Sequence, residues 1–118
     1  MIVSIRVLRF SIPEVNGLKE KRGVVRSAID RARSRTLAAI AEVGAMNDPR
    51  SAIVGVSALS NDAAHADALA DAAATLLRDS AGWVLLRERA ERVSLGTEEV
   101  STLEDDLSWE NFDDDDGE

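Results

Sequence analysis

Val3, Ile5 and Val7 alternate with Ser4 and Arg6, the two-residue period that sends successive strand side chains to opposite faces of a sheet. Beyond Arg6 the second face also turns apolar, through Leu8, Phe10 and Ile12. The pattern predicts a long strand over Ile2–Ile12, bulged or covered on both faces. Pro13 to Gly17 reads as a loop, with Asn16 placed to cap a following helix and Glu20 in its favourable first turn. From Leu18 to about Arg35 the period lengthens. Leu18, Val25, Ala28, Ile29 and Ala32 share one stripe at about 3.6 residues per turn, the mark of an amphipathic helix.

Thr36 to Val43 alternates as a short Ala-rich strand ending at Gly44, and Asn47-Asp48-Pro49 marks a turn. Ser51 to Ser60 is a nearly continuous apolar run and predicts a central strand buried on both faces, in which Gly55 marks a bulge or a close backbone approach. Ser60, Asn61 and Asp62 are three candidate caps for a second helix running to about Ser80, with Gly82 as its stop. Ala66, Leu69, Ala70, Ala73, Leu76 and Leu77 would then face the sheet. Trp83 to Leu95 is ambiguous, because Leu86, Ala90 and Val93 also suit a helix. Its alternation of Arg87, Glu88, Arg89, Glu91 and Arg92 is how an edge strand avoids unwanted pairing, and the segment is assigned as a strand.

The resulting order, β-α-β-β-α-β, is the split βαβ pattern of the ferredoxin-like α+β fold. It predicts a four-stranded antiparallel sheet with both helices on one face, the first and third strands central and the second and fourth at the edges. The domain is expected over residues 1–95.

Charge divides the chain at the same place. Residues 1–96 carry all 14 Lys and Arg against 11 carboxylates, a balance of +3, whereas residues 97–118 carry the other 11 carboxylates and no base. Charge of one sign with few apolar residues predicts a disordered acidic tail over residues 96–118. What remains is enough for one light core of Ala, Val, Leu and Ile, since only Phe10, Trp83, Trp109 and Phe112 are aromatic. With no cysteine there is no disulfide, no thiolate metal site and no thiol nucleophile. Ser4, Arg6 and Arg9 break the first apolar run before a signal-peptide core or membrane span can form, so a cytoplasmic protein is expected.

Three segments carry a resemblance to a known family: Gly17-Leu18-Lys19-Glu20-Lys21-Arg22 opening the first helix, Ala41-Glu42-Val43-Gly44, and Ser60-Asn61-Asp62 after the apolar strand. Together they resemble the YlxP-like family of bacterial proteins, a domain of unknown function, over roughly residues 1–95. The resemblance implies the ferredoxin-like fold, a bacterial source, and genes near those for translation initiation and small-subunit maturation factors. The loop at Met46-Asn47-Asp48-Pro49 lacks the aromatic residue often found there in the family, and the acidic extension is not part of the family core.

The first helix holds half of the basic residues. Lys19, Arg22, Arg26 and Arg33 recur at intervals of three, four and seven along one flank of its apolar stripe, with Lys21, Arg31 and Arg35 elsewhere around the cylinder. Lys19, Lys21, Arg22, Arg26 and Arg33 are the candidate nucleic-acid contacts, and ribosomal RNA or a ribosomal subunit is the expected partner. The plainer reading is a solvated helix face. The sheet lacks interleaved aromatics for base stacking, so contacts would be to backbone and shape. In the tail, Leu107, Trp109 and Phe112 among acids form a candidate partner-binding motif, and the acidic segment is a candidate occupant of its own basic helix; the plainer reading is a solubilising tail with incidental aromatics.

Enzymatic chemistry finds little support. The single histidine, His65, opens the second helix with no apparent nucleophile or pocket, Ser57 and Ser60 have no convincing triad, and no phosphate-cradling glycine loop exists. Asp113 to Asp116 lack the alternating ligands of a calcium loop. A non-enzymatic protein without cofactor or metal is expected. The alternative function is a homodimeric interaction domain that covers the open sheet edges and the helix-free face, with Ile2, Leu8, Phe10 and Ile12 either supplying that apolar surface or simply completing the monomer's core.

Overall fold

The structure, a computed structural model, describes residues 1–100. Its elements are β1 (Ile2–Ser11), α1 (Leu18–Arg35), β2 (Ala39–Gly44), β3 (Ser51–Ser60), α2 (Ala63–Arg78) and β4 (Val84–Ser94), followed by one 3-10 turn at Glu98–Val100. The strands form a single sheet in the order β2-β3-β1-β4, with every neighbouring pair antiparallel. This is the ferredoxin-like arrangement, and the two most apolar strands are the central ones.

The helices pack on one face, and β1 shows how the chain selects it. Leu8 and Phe10, with Ile12 just beyond the strand, are fully buried on the helix side beside Ala52, Val54, Val56 and Ala58 of β3. They complete the monomer's own core, the plainer of the two readings, and are unavailable to a dimer surface. Val3, Ile5, Val7 and Arg9 point the other way. Burying each large side chain contributes about 1.5–3 kcal/mol.

Both helices meet this layer through small residues. Val25, Ala28, Ile29 and Ala32 of α1 and Ala66, Ala70, Ala73, Ala74 and Leu77 of α2 are buried, and the missing side-chain bulk lets the helix axes approach the sheet closely. The largest aromatic contact joins the first strand to the residue before the last: Phe10 and Trp83 stack with ring centroids 3.8 Å apart at 9°. The indole Nε1 of Trp83 donates to Leu77 O at 2.7 Å, so the ring is fixed on its polar side as well.

Local chemistry corrects two boundaries. Asn16 does not cap α1. Gly17 holds the cap position at φ 112°, a conformation that favours glycine, and Glu20 reaches back to accept from the Asn16 amide at 2.9 Å. Thr36 ends α1 instead of starting β2, because its hydroxyl donates to Ala32 O at 3.0 Å. At α2 the third of the candidate caps is used, Asp62 accepting from the His65 amide at 2.9 Å. Strand β4 pairs with β1 along its whole length. A register shift at Arg9/Phe10 turns Leu85 toward the core and leaves Leu86 outside.

Candidate nucleic-acid interface

Helix α1 lies beside edge strand β2, and two of its cations hold the two elements together. Lys21 is fully buried. Its ammonium donates to Ala45 O at 2.5 Å and Met46 O at 3.3 Å, and pairs with the Glu42 carboxylate at 3.1 Å. Ala45 adopts φ 55°, a left-handed backbone that turns its carbonyl to the ammonium. At the other end of the helix, Arg33 donates through Nε and Nη2 to Ile40 O, at 3.1 and 2.6 Å. Lys21 is therefore withdrawn from the proposed nucleic-acid contacts. Its place was visible in the sequence, since it lies four residues before Val25, seven before Ala28 and eleven before Ala32, within the apolar stripe.

Between these two anchors lies a groove of about 340 Å³, lined by Arg22, Arg26 and Arg33, by Val25 and Ile29 from the apolar stripe, and by Asp30 and Glu42. Glu42 is paired in charge with Lys21, so among the described residues the three guanidiniums face one carboxylate without an ion-pair partner, Asp30. Lys19 adds a fourth cation at the start of the helix. Lys19, Arg22 and Arg26 are exposed and have no ion-pair partner among the described residues. The structure thus brings Arg22, Arg26 and Arg33 together at the groove, leaves Lys19 exposed at the start of the helix outside the groove's lining, and removes Lys21.

A second charged cluster, unforeseen in the sequence, lies between β1, β4 and α2. Arg6 on the helix side of β1 pairs with Asp71 at 2.9 Å and Glu88 at 3.5 Å, and Glu88 in turn pairs with Arg78 at 2.8 Å. Arg92 pairs with Asp67, and that guanidinium, aided by the Ser4 hydroxyl, holds the Asp67 carboxyl below its ordinary value. Cross-strand neighbours Ser4↔Arg92 and Arg6↔Ala90 place these groups where the Ala-rich helix leaves room. The signal was the polar interruption of β1 at Ser4 and Arg6.

His65 is exposed, with Nδ1 3.1 Å from Ser60 Oγ, which also accepts from the Asp62 amide at 3.1 Å. The trio orders the first turn of α2. Ser57 lies on the helix-free face opposite Ile5. Leu107, Trp109, Phe112 and Asp113 to Asp116 lie outside the described residues. Among the described residues no helix is long and apolar enough to cross a membrane.

A four-stranded antiparallel sheet with two helices on one side and a cationic groove along the first of them defines a small ferredoxin-like α+β domain. The chain matches the DUF503 family, a protein family of unknown function, over residues 3–89 and belongs to it. No curated protein matches the chain.

Proposed function

We propose that this domain is a non-enzymatic, cytoplasmic RNA-binding protein that associates with ribosomal RNA or a ribosomal subunit through the α1 side of its helical layer. The observation that carries the reading is the exposure of Lys19, Arg22 and Arg26 on one flank of α1, unpaired among the described residues, beside a groove with an apolar floor. From Lys19 to Arg33 the helix spans about 21 Å, long enough to follow several phosphates. The translation-linked gene setting implied by the family resemblance supports the same reading.

The binding mode follows from what the opposite face offers. Val3, Ile5, Val7, Ile53, Ser57 and Leu59 present no aromatic ring for base stacking, and Phe10 is buried in the core. Contacts are therefore to backbone and shape, sequence-tolerant and sensitive to salt.

Co-sedimentation with ribosomal subunits over graded salt tests this. The K19A/R22A/R26A variant should weaken binding and reduce the log–log salt slope by about 2–3, close to one for each lost phosphate contact. Arg33 is left intact because it holds β2. An unchanged slope overturns the reading. A second reading, a homodimeric interaction domain without a nucleic-acid role, draws on the apolar helix-free face; sedimentation that depends on protein concentration, without subunit binding, would favour it.

A further inference from the structure

The helix-free face has a definite internal order. At one end lie Val3, Leu59 and Val93, directly opposed in register, followed along β1 by Ile5 and Val7. Leu59 is 59% exposed and Val93 48%, so the patch is open to solvent. At the other end are three exposed arginines, Arg9, Arg87 and Arg89. Arg9 and Arg87 are direct cross-strand partners, an arrangement of like charges that destabilises a sheet unless an anion sits over it. None of the three has an ion-pair partner among the described residues. A shallow depression of about 210 Å³ lined by Ile5, Val7, Arg89, Ala90 and Glu91 joins the apolar and cationic ends.

The chain leaves this face at its apolar end. Leu95 exchanges backbone hydrogen bonds with Met1, at 2.9 and 2.8 Å, so the segment that follows starts beside Val3. Read outward from there, the sequence passes Glu98, Glu99, Val100, Leu103 and Glu104 to Asp106, and then brings Leu107, Trp109 and Phe112 followed by Asp113 to Asp116. From Leu107 onward the order is apolar, then acidic, which complements the apolar-then-cationic order of the face. Reach is ample, since the stretch from Gly96 to Trp109 extends to about 45 Å while Val3 to Arg9 covers about 20 Å.

We propose that residues 107–116 of the same chain dock on the helix-free face, Trp109 and its apolar neighbours on the Val3–Ile5–Val7 row and the aspartates against Arg89, Arg87 and Arg9. A second copy is the poorer occupant. Face-to-face pairing would bring two sets of three guanidiniums together, with Glu91 the sole carboxylate on the described strands of that face. Docking here also leaves the α1 groove, on the other side of the sheet, free for its own ligand.

The test uses the full chain. Amide shifts of the wild type and of L107S/W109S/F112S should differ at Ile5, Val7, Leu59, Arg87 and Arg89, with Arg22 to Arg33 unmoved. Trp109 emission, obtained as the difference between wild type and W109F, should be blue-shifted and shielded from acrylamide, independent of dilution. R87E/R89E should return it to the emission of a water-exposed indole, while the near-ultraviolet circular dichroism of the buried Trp83 stays unchanged and certifies the fold. The proposal is overturned by shift changes confined to α1, by no shift changes at all, or by shielding that disappears on dilution, the mark of docking between copies.

Discussion

A lysine ammonium with no access to water must be neutralised and hydrogen-bonded where it lies, and Lys21 meets this with Glu42 and two loop carbonyls. K21A should cost about 3–5 kcal/mol in urea unfolding, because it strands Glu42 and removes the anchor of the β2–β3 loop. K19A, at an exposed neighbour, should stay within about 0.5 kcal/mol. The same anchor holds Ala45 in the left-handed region, so A45G should raise stability by about 0.5–1 kcal/mol, read as a higher urea midpoint at unchanged slope. The position of Lys21 in the apolar stripe was legible in the sequence. Its partners were not, since they sit on another element and two of them are backbone carbonyls, which carry no residue signature.

Strand β4 shows where local pattern gives way to tertiary pairing. Leu86, Ala90 and Val93 fall at helical spacing, yet the segment pairs along the whole of β1, and the bulge at Arg9/Phe10 lets Leu85 turn inward. The alternating charges settled the strand assignment, and on the helix side some of them reach α2. There the sequence could not say that Arg92 meets Asp67 or that Arg6 meets Asp71 and Glu88, because helix–strand rotation sets those pairings. Asp67 has a folded-state pKa below its ordinary 3.8, so it contributes stability above that value and loses it as pH falls through the lower folded pKa. D67N should be less stable than the wild type at neutral pH, and the gap should close as the two are titrated in denaturant below about pH 4. A gap that persists into strong acid would show that the side chain acts through packing.

Over the whole molecule, the order of elements and the central place of β1 and β3 were readable from apolar runs and turn residues alone. Which face of β1 would meet the helices was not, since Val3-Ile5-Val7 and Leu8-Phe10-Ile12 are equally apolar and only the bulk of the packed helices chooses between them. The basic helix was legible as a cluster, and only its contacts divide it into cations that hold β2 and cations without an ion-pair partner among the described residues. Thermal unfolding of K19A/R22A/R26A should therefore match the wild type even where RNA binding is lost.

The outer edge of β1 is completed by β4, and Phe10 finds its stacking partner in Trp83. During synthesis the earliest strand must wait for the latest before its backbone is paired on both sides and its aromatic ring is covered. The fold therefore closes only when its first and last strands meet, a contact of high sequence separation that favours slow folding.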